Sequence, residues 1–259
     1  MNLDIQISKG RRFAELHHAK AIFQMPNPWD IGSALMLEKA GAQALATSSS
    51  ASASVMGLAD GRLSLSAALE HARQLAAATS VPLAADLENG FAHEPTGVAE
   101  AMRLASQTGL VGASIEDYGG KEEGIYSFDL AVARVKAAVE VTRNLPFPFL
   151  LTARAENYFR GVIDLDDTIR RLQAFEAAGA DVLFAPALPD LASVKAVCSA
   201  VKSPVNFMVS IPGKSFSRAE LADCGVKRLS FGAFFYRKAM AAAEAAAREA
   251  LEKGTYSFA

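Results

Sequence analysis

Apolar and polar positions change their period repeatedly along this chain. Buried runs of four or five residues alternate with longer stretches in which apolar residues recur every three or four positions. The first pattern reads as a strand covered on both faces, the second as an amphipathic helix. Residues 8–20 form the first helix, with Phe13 and Leu16 on one side and Arg11, Arg12 and Glu15 on the other. Residues 21–25 are a strand, and Pro26-Asn-Pro-Trp-Asp30 is a turn in which Asp30 caps a helix over 31–40. A second strand covers 43–47. Ser48 to Gly61 reads as a long loop of small residues, before a helix from Ser64 to Thr79. The unit then repeats. Strand 81–85 precedes helix 95–108, strand 111–115 precedes 128–142, and strand 148–152 precedes 164–178. Strand 181–184 precedes 189–200, strand 204–208 precedes 217–223, and strand 226–230 precedes a long Ala-rich helix at 234–253.

This alternation predicts a parallel sheet. Eight units counted from Ala21 predict an α/β fold of the (β/α)8 TIM-barrel type. No linker or low-complexity break divides residues 1–259, so one barrel domain is expected. A chain of 259 residues with 51% hydrophobic content suits that core. The formal net charge of −2 gives no basic footprint for nucleic acid. No apolar run approaches a membrane span, and Met1-Asn-Leu-Asp-Ile-Gln-Ile does not read as a secretory leader. Cys198 and Cys224 lack metal-ligand spacing, and the four histidines form no helical pair of ligands. A reducing cytoplasm is the expected compartment.

In such a barrel the loops after the strands share one rim, where ligands bind. Here that rim is acidic. The third strand runs into Asp86-Leu-Glu-Asn-Gly90, and carboxylates spaced i, i+2 leave a strand toward the same side. The fourth leads to Glu116 and Asp117, and the fifth to Arg154, Glu156 and Asn157. The second leads to Ser48, Ser49 and Ser50, with Asp60 at the far end of the loop. Each feature also has a plain reading. Asp86 and Glu88 fit a solvated loop, Glu116 and Asp117 a surface turn with a helix cap, and Asp60 a type I turn. Together, acids from adjacent strand ends repel unless a cation joins them, and hard oxygen ligands suit Mg²⁺, with Mn²⁺ also admissible. Asp86 is expected to be the most direct ligand, with Glu88, Glu116 and Asp60 bound directly or through water. Arg154 either clamps a substrate carboxylate or balances the acids. Ser48, Ser49 and Ser50 are expected to cradle a carboxylate through their backbone, and Asn206 in the seventh strand is a further substrate-binding candidate. His17, His18 and His71 are expected on helix surfaces, Trp29 at the barrel rim, and His93 in the loop after the acids.

Several segments, in this order, resemble the isocitrate lyase/phosphoenolpyruvate mutase superfamily. They are Pro26-Asn-Pro-Trp-Asp30, the Ser-rich loop ending in Gly57-Leu-Ala-Asp60, Ala85-Asp-Leu-Glu-Asn-Gly90, Gly112-Ala-Ser-Ile-Glu-Asp117 and Thr152-Ala-Arg154. The resemblance implies a barrel that binds Mg²⁺ and a small 2-oxo acid or its enolate. It makes Asp86 the principal metal ligand, places Glu88 where many members have Asp, and matches Glu116 and Asp60 to further acids of the site. Arg154 matches the substrate-binding arginine, and Ser48 and Ser49 the carboxylate-binding segment. Members are commonly tetramers, or dimers of dimers, that exchange the last helix. The stretch 234–253 is accordingly expected to be an oligomerisation helix swapped between subunits.

The lid after the fourth strand departs from that pattern. The isocitrate and methylisocitrate lyases carry Lys-Lys/Arg-Cys-Gly-His there, with the Cys as proton donor. Here Tyr118-Gly-Gly-Lys-Glu-Glu-Gly-Ile-Tyr126 has no Cys, no His and one Lys. It also lacks the longer asparagine-bearing lid of the mutases. The expected activity is the one that asks least of a lid. It is a Mg²⁺-dependent, decarboxylase-like C–C lyase acting on a 2-oxo acid such as oxaloacetate through a metal-stabilised enolate. Arg154, Glu116 and Tyr118 are its expected catalytic residues, with Tyr126, Tyr158 or a metal-bound water as other proton donors. The alternatives are a phosphonopyruvate or oxo-acid hydrolase, a phosphoenolpyruvate mutase-type isomerase, and a non-catalytic metabolite-binding homologue. The expected partners are a small 2-oxo acid or phosphonate and further copies of the chain, with no nucleic acid and no membrane.

Overall fold

A computed structural model describes residues 2–257. Helix α1 (Leu3–His18) precedes β1 (Phe23–Met25). Then follow α2 (Ile31–Lys39), β2 (Leu45–Ala46), α3 (Ser49–Val55), α4 (Leu65–Ala78), β3 (Leu83–Asp86), α5 (Pro95–Ser106), β4 (Gly112–Glu116) and α6 (Phe128–Arg143). The second half holds β5 (Leu150–Arg154), α7 (Leu165–Ala177), β6 (Val182–Phe184), α8 (Leu191–Ala200), β7 (Val205–Met208), α9 (Arg218–Asp223), β8 (Arg228–Ser230) and α10 (Phe234–Arg248). A single 3₁₀ turn, Tyr158–Arg160, follows β5, and a π turn, Glu249–Lys253, extends α10.

The strands pair in parallel in the order β1-β8-β7-β6-β5-β4-β3-β2, which is the (β/α)8 barrel expected. The remaining seam, between β1 and β2, is laced by a few bonds rather than a regular ladder. Ala46 N–H donates to the Pro26 carbonyl at 3.1 Å. The Asn27 amide donates to the carbonyls of Ala46 and Thr47, at 3.0 Å each, and its oxygen accepts from Phe231 N–H at 2.8 Å. One apolar cluster fills the layer between helices and strands, and includes Leu75, Met102, Leu151 and Phe175. A second joins Phe13 and Leu16 of α1 to Phe23, Ala84, Val111 and Leu150. It plugs the amino-terminal end of the barrel.

Helix α1 begins at Leu3 rather than at residue 8, with Asn2 as its cap. Its first turns escaped the pattern because their buried face is polar. Gln6 donates to the carbonyls of Ser106 and Leu110, and Lys9 to those of Ala76 and Thr79. Those of Ala76, Thr79 and Ser106 lie at the ends of α4 and α5, where carbonyls lack partners within their own helices, and that of Leu110 lies in the segment before β4. Gly10 lets α1 lie against the chain before β5, since a Cβ there would strike the Pro148 carbonyl.

Two histidines correct the expectation of helix-surface residues. His17 is 2% exposed and His71 is 7% exposed. His17 Nδ1 lies 2.8 Å from the Phe13 carbonyl, which can only accept, so Nε2 is the acceptor for Arg228 at 3.2 Å. Burial and then Arg228 hold His17 down at about 3. By the same argument His71 Nε2 donates to the Trp29 carbonyl at 2.9 Å, and Nδ1 accepts from the Ser52 hydroxyl at 3.2 Å. Arg228 itself sits inside the barrel, bonded to His17, Asn206 and Thr152. Burial pulls it down to about 9.

Among the described residues no helix is long and apolar enough to cross a membrane.

Candidate active site

Strand β3 carries Asp86 and, past the buried Leu87, Glu88 to the carboxyl-terminal mouth of the barrel. Asp86 is fixed at both oxygens. Oδ2 accepts from Ser49 N–H at 3.2 Å and from the Ser49 hydroxyl at 3.0 Å. Oδ1 accepts from Arg154 Nη1 at 3.1 Å and from Glu88 N–H at 3.3 Å. Glu88 holds a φ of +48°, in the left-handed region, which costs a non-glycine residue about 1 kcal/mol or more. Its carbonyl accepts from Glu116 N–H at 2.8 Å, which locks that conformation to β4. The Glu88 oxygen Oε1 is buried and has no hydrogen-bond partner among the described residues. Burial, then Asp86 and Asp60, push the Glu88 carboxyl up to about 7. Asp60 stands at the exposed lip. Desolvation, followed by Asp86, raises its carboxyl above the usual range.

Arg154, 9% exposed, ties three acids together from the end of β5. Nε and Nη2 donate to Glu156 Oε1 at 3.1 and 2.7 Å, and Nη2 lies 3.1 Å from Glu116 Oε2. Burial opposes its charge, but Glu156, Glu116 and Asp86 outweigh that and hold it protonated well above the usual arginine range. Glu116 is driven the other way. Burial raises its carboxyl, and Arg154 offsets only part of that. A second cation, Arg160, arrives on the 3₁₀ turn after β5. Its Nη2 lies 3.1 Å from Glu116 Oε1 and 3.0 Å from Glu156 Oε2, and its guanidinium carbon is 3.8 Å from the Tyr118 ring centre.

The charges do not balance. Among the described residues Asp60, Asp86, Glu88, Glu116 and Glu156 have only Arg154 and Arg160 as cationic neighbours, an excess of three negative charges when all are ionised. The partnerless Glu88 oxygen and this excess fit a divalent cation held chiefly by Asp86 and Glu88. Among the described residues no three acid, His or Cys side chains converge as a ready-made cage.

Other expected residues have different places. Ser48 is 5% exposed, and its hydroxyl caps the N–H of Ala51. The expected Ser-rich loop is in fact helix α3 over Ser49–Val55, whose alternating Ser and Ala carry no apolar stripe to reveal it. Ser50 stands half-buried in its first turn. Asn206 is not brought to the acids. It is 1% exposed inside the barrel, donating to the Ser230 hydroxyl and accepting from Arg228 Nε at 2.8 Å. Asp117 belongs to the scaffold, paired with Arg171 at 3.1 Å and accepting from Glu156 N–H at 2.8 Å. Tyr126 and Tyr158 are 4% and 7% exposed, whereas Tyr118 rests on Arg160 beside the acids. The lid itself is a tight turn, with Tyr118 bridged to Ile125. His93 faces that turn, 3.6 Å from Glu123, and Asn89 donates to the Tyr126 hydroxyl at 2.9 Å.

With this geometry in view, the sequence matches the profile of the phosphoenolpyruvate phosphomutase family over residues 13–251. The chain belongs to that family, within the isocitrate lyase/phosphoenolpyruvate mutase superfamily. A solved protein of Burkholderia cenocepacia J2315, provisionally described as a lyase/mutase, is 47% identical. It superposes with a TM-score of 0.95, over 98% of this chain and 91% of its own. An oxaloacetate decarboxylase of Paraburkholderia xenovorans is 30% identical over 86% of this chain and 75% of its own length. A phosphonopyruvate hydrolase solved with oxalate and Mg²⁺ shares the fold, at 23% identity and a TM-score of 0.86, over 95% of this chain and 88% of its own.

Within this phosphomutase-family site, Arg160 and the full burial of Glu156 are what reading the sequence missed. The spacing Glu156-x-x-x-Arg160 was a usable signal, because i, i+4 pairs meet on one side of a helical turn.

Proposed function

We propose that this chain is a Mg²⁺-dependent carbon–carbon lyase that decarboxylates a small 2-oxo acid of the oxaloacetate type. The observation that carries this reading is the buried carboxylate excess around Asp86 and the partnerless Glu88 oxygen. The 30% identical oxaloacetate decarboxylase supports the choice of reaction. Asp86 would hold the ion most directly, with Glu88, Glu116 and Asp60 serving directly or through water, and Mn²⁺ would suit the same oxygens. The ion supplies Lewis-acid stabilisation of the negative charge that develops at the substrate's carbonyl oxygen.

The rest falls to the chain's own side chains. Ser49 orients Asp86 Oδ2 through two hydrogen bonds. Arg154 pairs with Asp86 and Glu116 at 3.1 Å each, and its buried positive charge attracts the substrate carboxylate, which Ser48 to Ser50 flank. Glu116 anchors the two arginines. When the C3–C4 bond breaks, CO₂ leaves, the bonding electrons pass toward the carbonyl oxygen, and C3 takes a proton from Tyr118. The chain works in a reducing cytoplasmic compartment as a homo-oligomer, dimer or tetramer. Helix α10, none of whose residues is buried, packs on a neighbouring subunit.

The test is product analysis with Mg²⁺ and either oxaloacetate or phosphonopyruvate, with Asp86→Ala as the control for metal-catalysed background. Pyruvate and CO₂ release that falls to the background in Asp86→Ala supports the lyase. Oxalate with acetate, or phosphate, as the product would make the chain a hydrolase. Tight binding without turnover would make it a metabolite-binding homologue.

A further inference from the structure

Arg154 and Arg160 share two acids but differ in what they leave free. Arg154 engages Nε, Nη1 and Nη2 with carboxylates and has a side chain 10% exposed. Arg160 is 30% exposed in its side chain, and only its Nη2 meets acids. Among the described residues Nε and Nη1 of Arg160 have no hydrogen-bond acceptor. Two aromatic rings lie beside this guanidinium. Tyr118 lies 3.8 Å from its carbon and Phe159 5.1 Å. Its position on the short turn after β5, paired to Glu116 and Glu156, sets it at the mouth rather than below the acids.

A guanidinium packed beside aromatic rings, with free N–H groups at the entrance to a site, is a receptor for a planar or tetrahedral anion. We propose that Arg160 forms a second anion subsite, which takes the distal carboxylate or phosphonate of a dianionic substrate. The inference deepens the reading of a 2-oxo-acid enzyme and rests on it. The proximal carboxylate and the carbonyl stay at the Asp86–Glu88 end, and the second charge lies over Arg160. Arg160 thereby selects four-carbon diacids and phosphonates over monoacids of the pyruvate type. It is a specificity-determining residue that leaves the bond-breaking step to the groups below it.

The test compares ligands that differ only in the distal group. Lactate and malate, both enantiomers of each, are titrated with Mg²⁺ into the wild-type chain and Arg160→Gln by calorimetry, with oxalate as the probe of the proximal site. In the wild type malate binds about tenfold more tightly than lactate, as a charge-assisted hydrogen bond implies. In Arg160→Gln that preference collapses to about twofold or less, while oxalate binding is retained. Arg160→Lys recovers part of the preference. Because the ratio is taken within each variant, a general change in metal affinity cancels. An undiminished malate preference in Arg160→Gln would overturn the subsite while leaving the enzyme reading intact. So would an absent preference in the wild type with normal oxalate binding. Failure of oxalate itself to bind the wild type would overturn both.

Discussion

Two buried arginines divide this barrel into two chemically opposite ends. At the carboxyl-terminal mouth Arg154 lies among Asp86, Glu116 and Glu156, more acid than it can neutralise. Toward the amino-terminal end Arg228, 3% exposed, bonds among the described residues only to the neutral acceptors His17 Nε2, Asn206 Oδ1 and Thr152 Oγ1. Thr152 and Arg154 belong to the same strand, two residues apart. One end is a network closed by dipoles. The other is left short of positive charge. Buried charge is costly unless compensated, so the acidic excess at the mouth suits a cation, whereas the dipoles around Arg228 suit a structural role.

The sharpest way to break that contrast is a like-for-like substitution. Arg154→Met strands three carboxylates, and we expect it to cost about 3–5 kcal/mol in urea unfolding at pH 8 without metal. Arg228→Met removes an unpaired charge along with its hydrogen bonds. We expect it to cost only about 1–2 kcal/mol and to leave the response to Mg²⁺ unchanged. Equal losses, or an Mg²⁺ response damaged by Arg228→Met, would erase the distinction between the ends.

Acid should find the lower end first. His17 titrates at about 3 in the folded chain, against an ordinary 6.5 when unfolded. Between these values the unfolded chain binds a proton that the folded chain refuses, so stability falls as the pH drops from 6.5 toward 3. His17→Gln keeps an acceptor for Arg228 but cannot titrate. Its loss between pH 6.5 and about 4 should be smaller than that of the wild type by about 3 kcal/mol, read from urea midpoints.

The upper end should respond in the opposite sense. Metal-free Glu88 retains its proton up to about 7, above the ordinary 4.5, so its ionisation costs folded-state stability as the pH rises through that window. A divalent cation requires the ionised form. The thermal stabilisation by Mg²⁺ should therefore grow from about pH 6 to about pH 8. Glu88→Gln should flatten that dependence, a smaller effect than the others and best seen as a difference between two pH series.

Much of the upper end could be read in the sequence because its chemistry is local. Asp86 and Glu88 stand two apart at a strand end, and Glu116 and Arg154 close strands of plain apolar character. The barrel was legible for the same reason, through its alternating periods. The lower end was not. His17, Arg228 and Asn206 are far apart in the chain, and a buried histidine on an amphipathic helix looks like a surface residue until its partner is known. Asn206 reads as a substrate residue because the strand that carries it leads to the rim, whereas its side chain lies in the barrel interior. Helix α3 was hidden by small residues that carry no stripe, and Arg160 by a turn too short to show a period.

The central claim is that the acidic mouth is a working site for a divalent cation and a 2-oxo-acid mimic. Its most direct test is thermal unfolding with and without Mg²⁺ and oxalate, in all four combinations, for the wild type and Asp86→Ala. Near 100 times the dissociation constant the pair should add about 2.7 kcal/mol, roughly 5–10 °C for a chain of this size. A large shift is expected only when both are present, and none in Asp86→Ala. No shift in any combination, or an undiminished shift in Asp86→Ala, would contradict it.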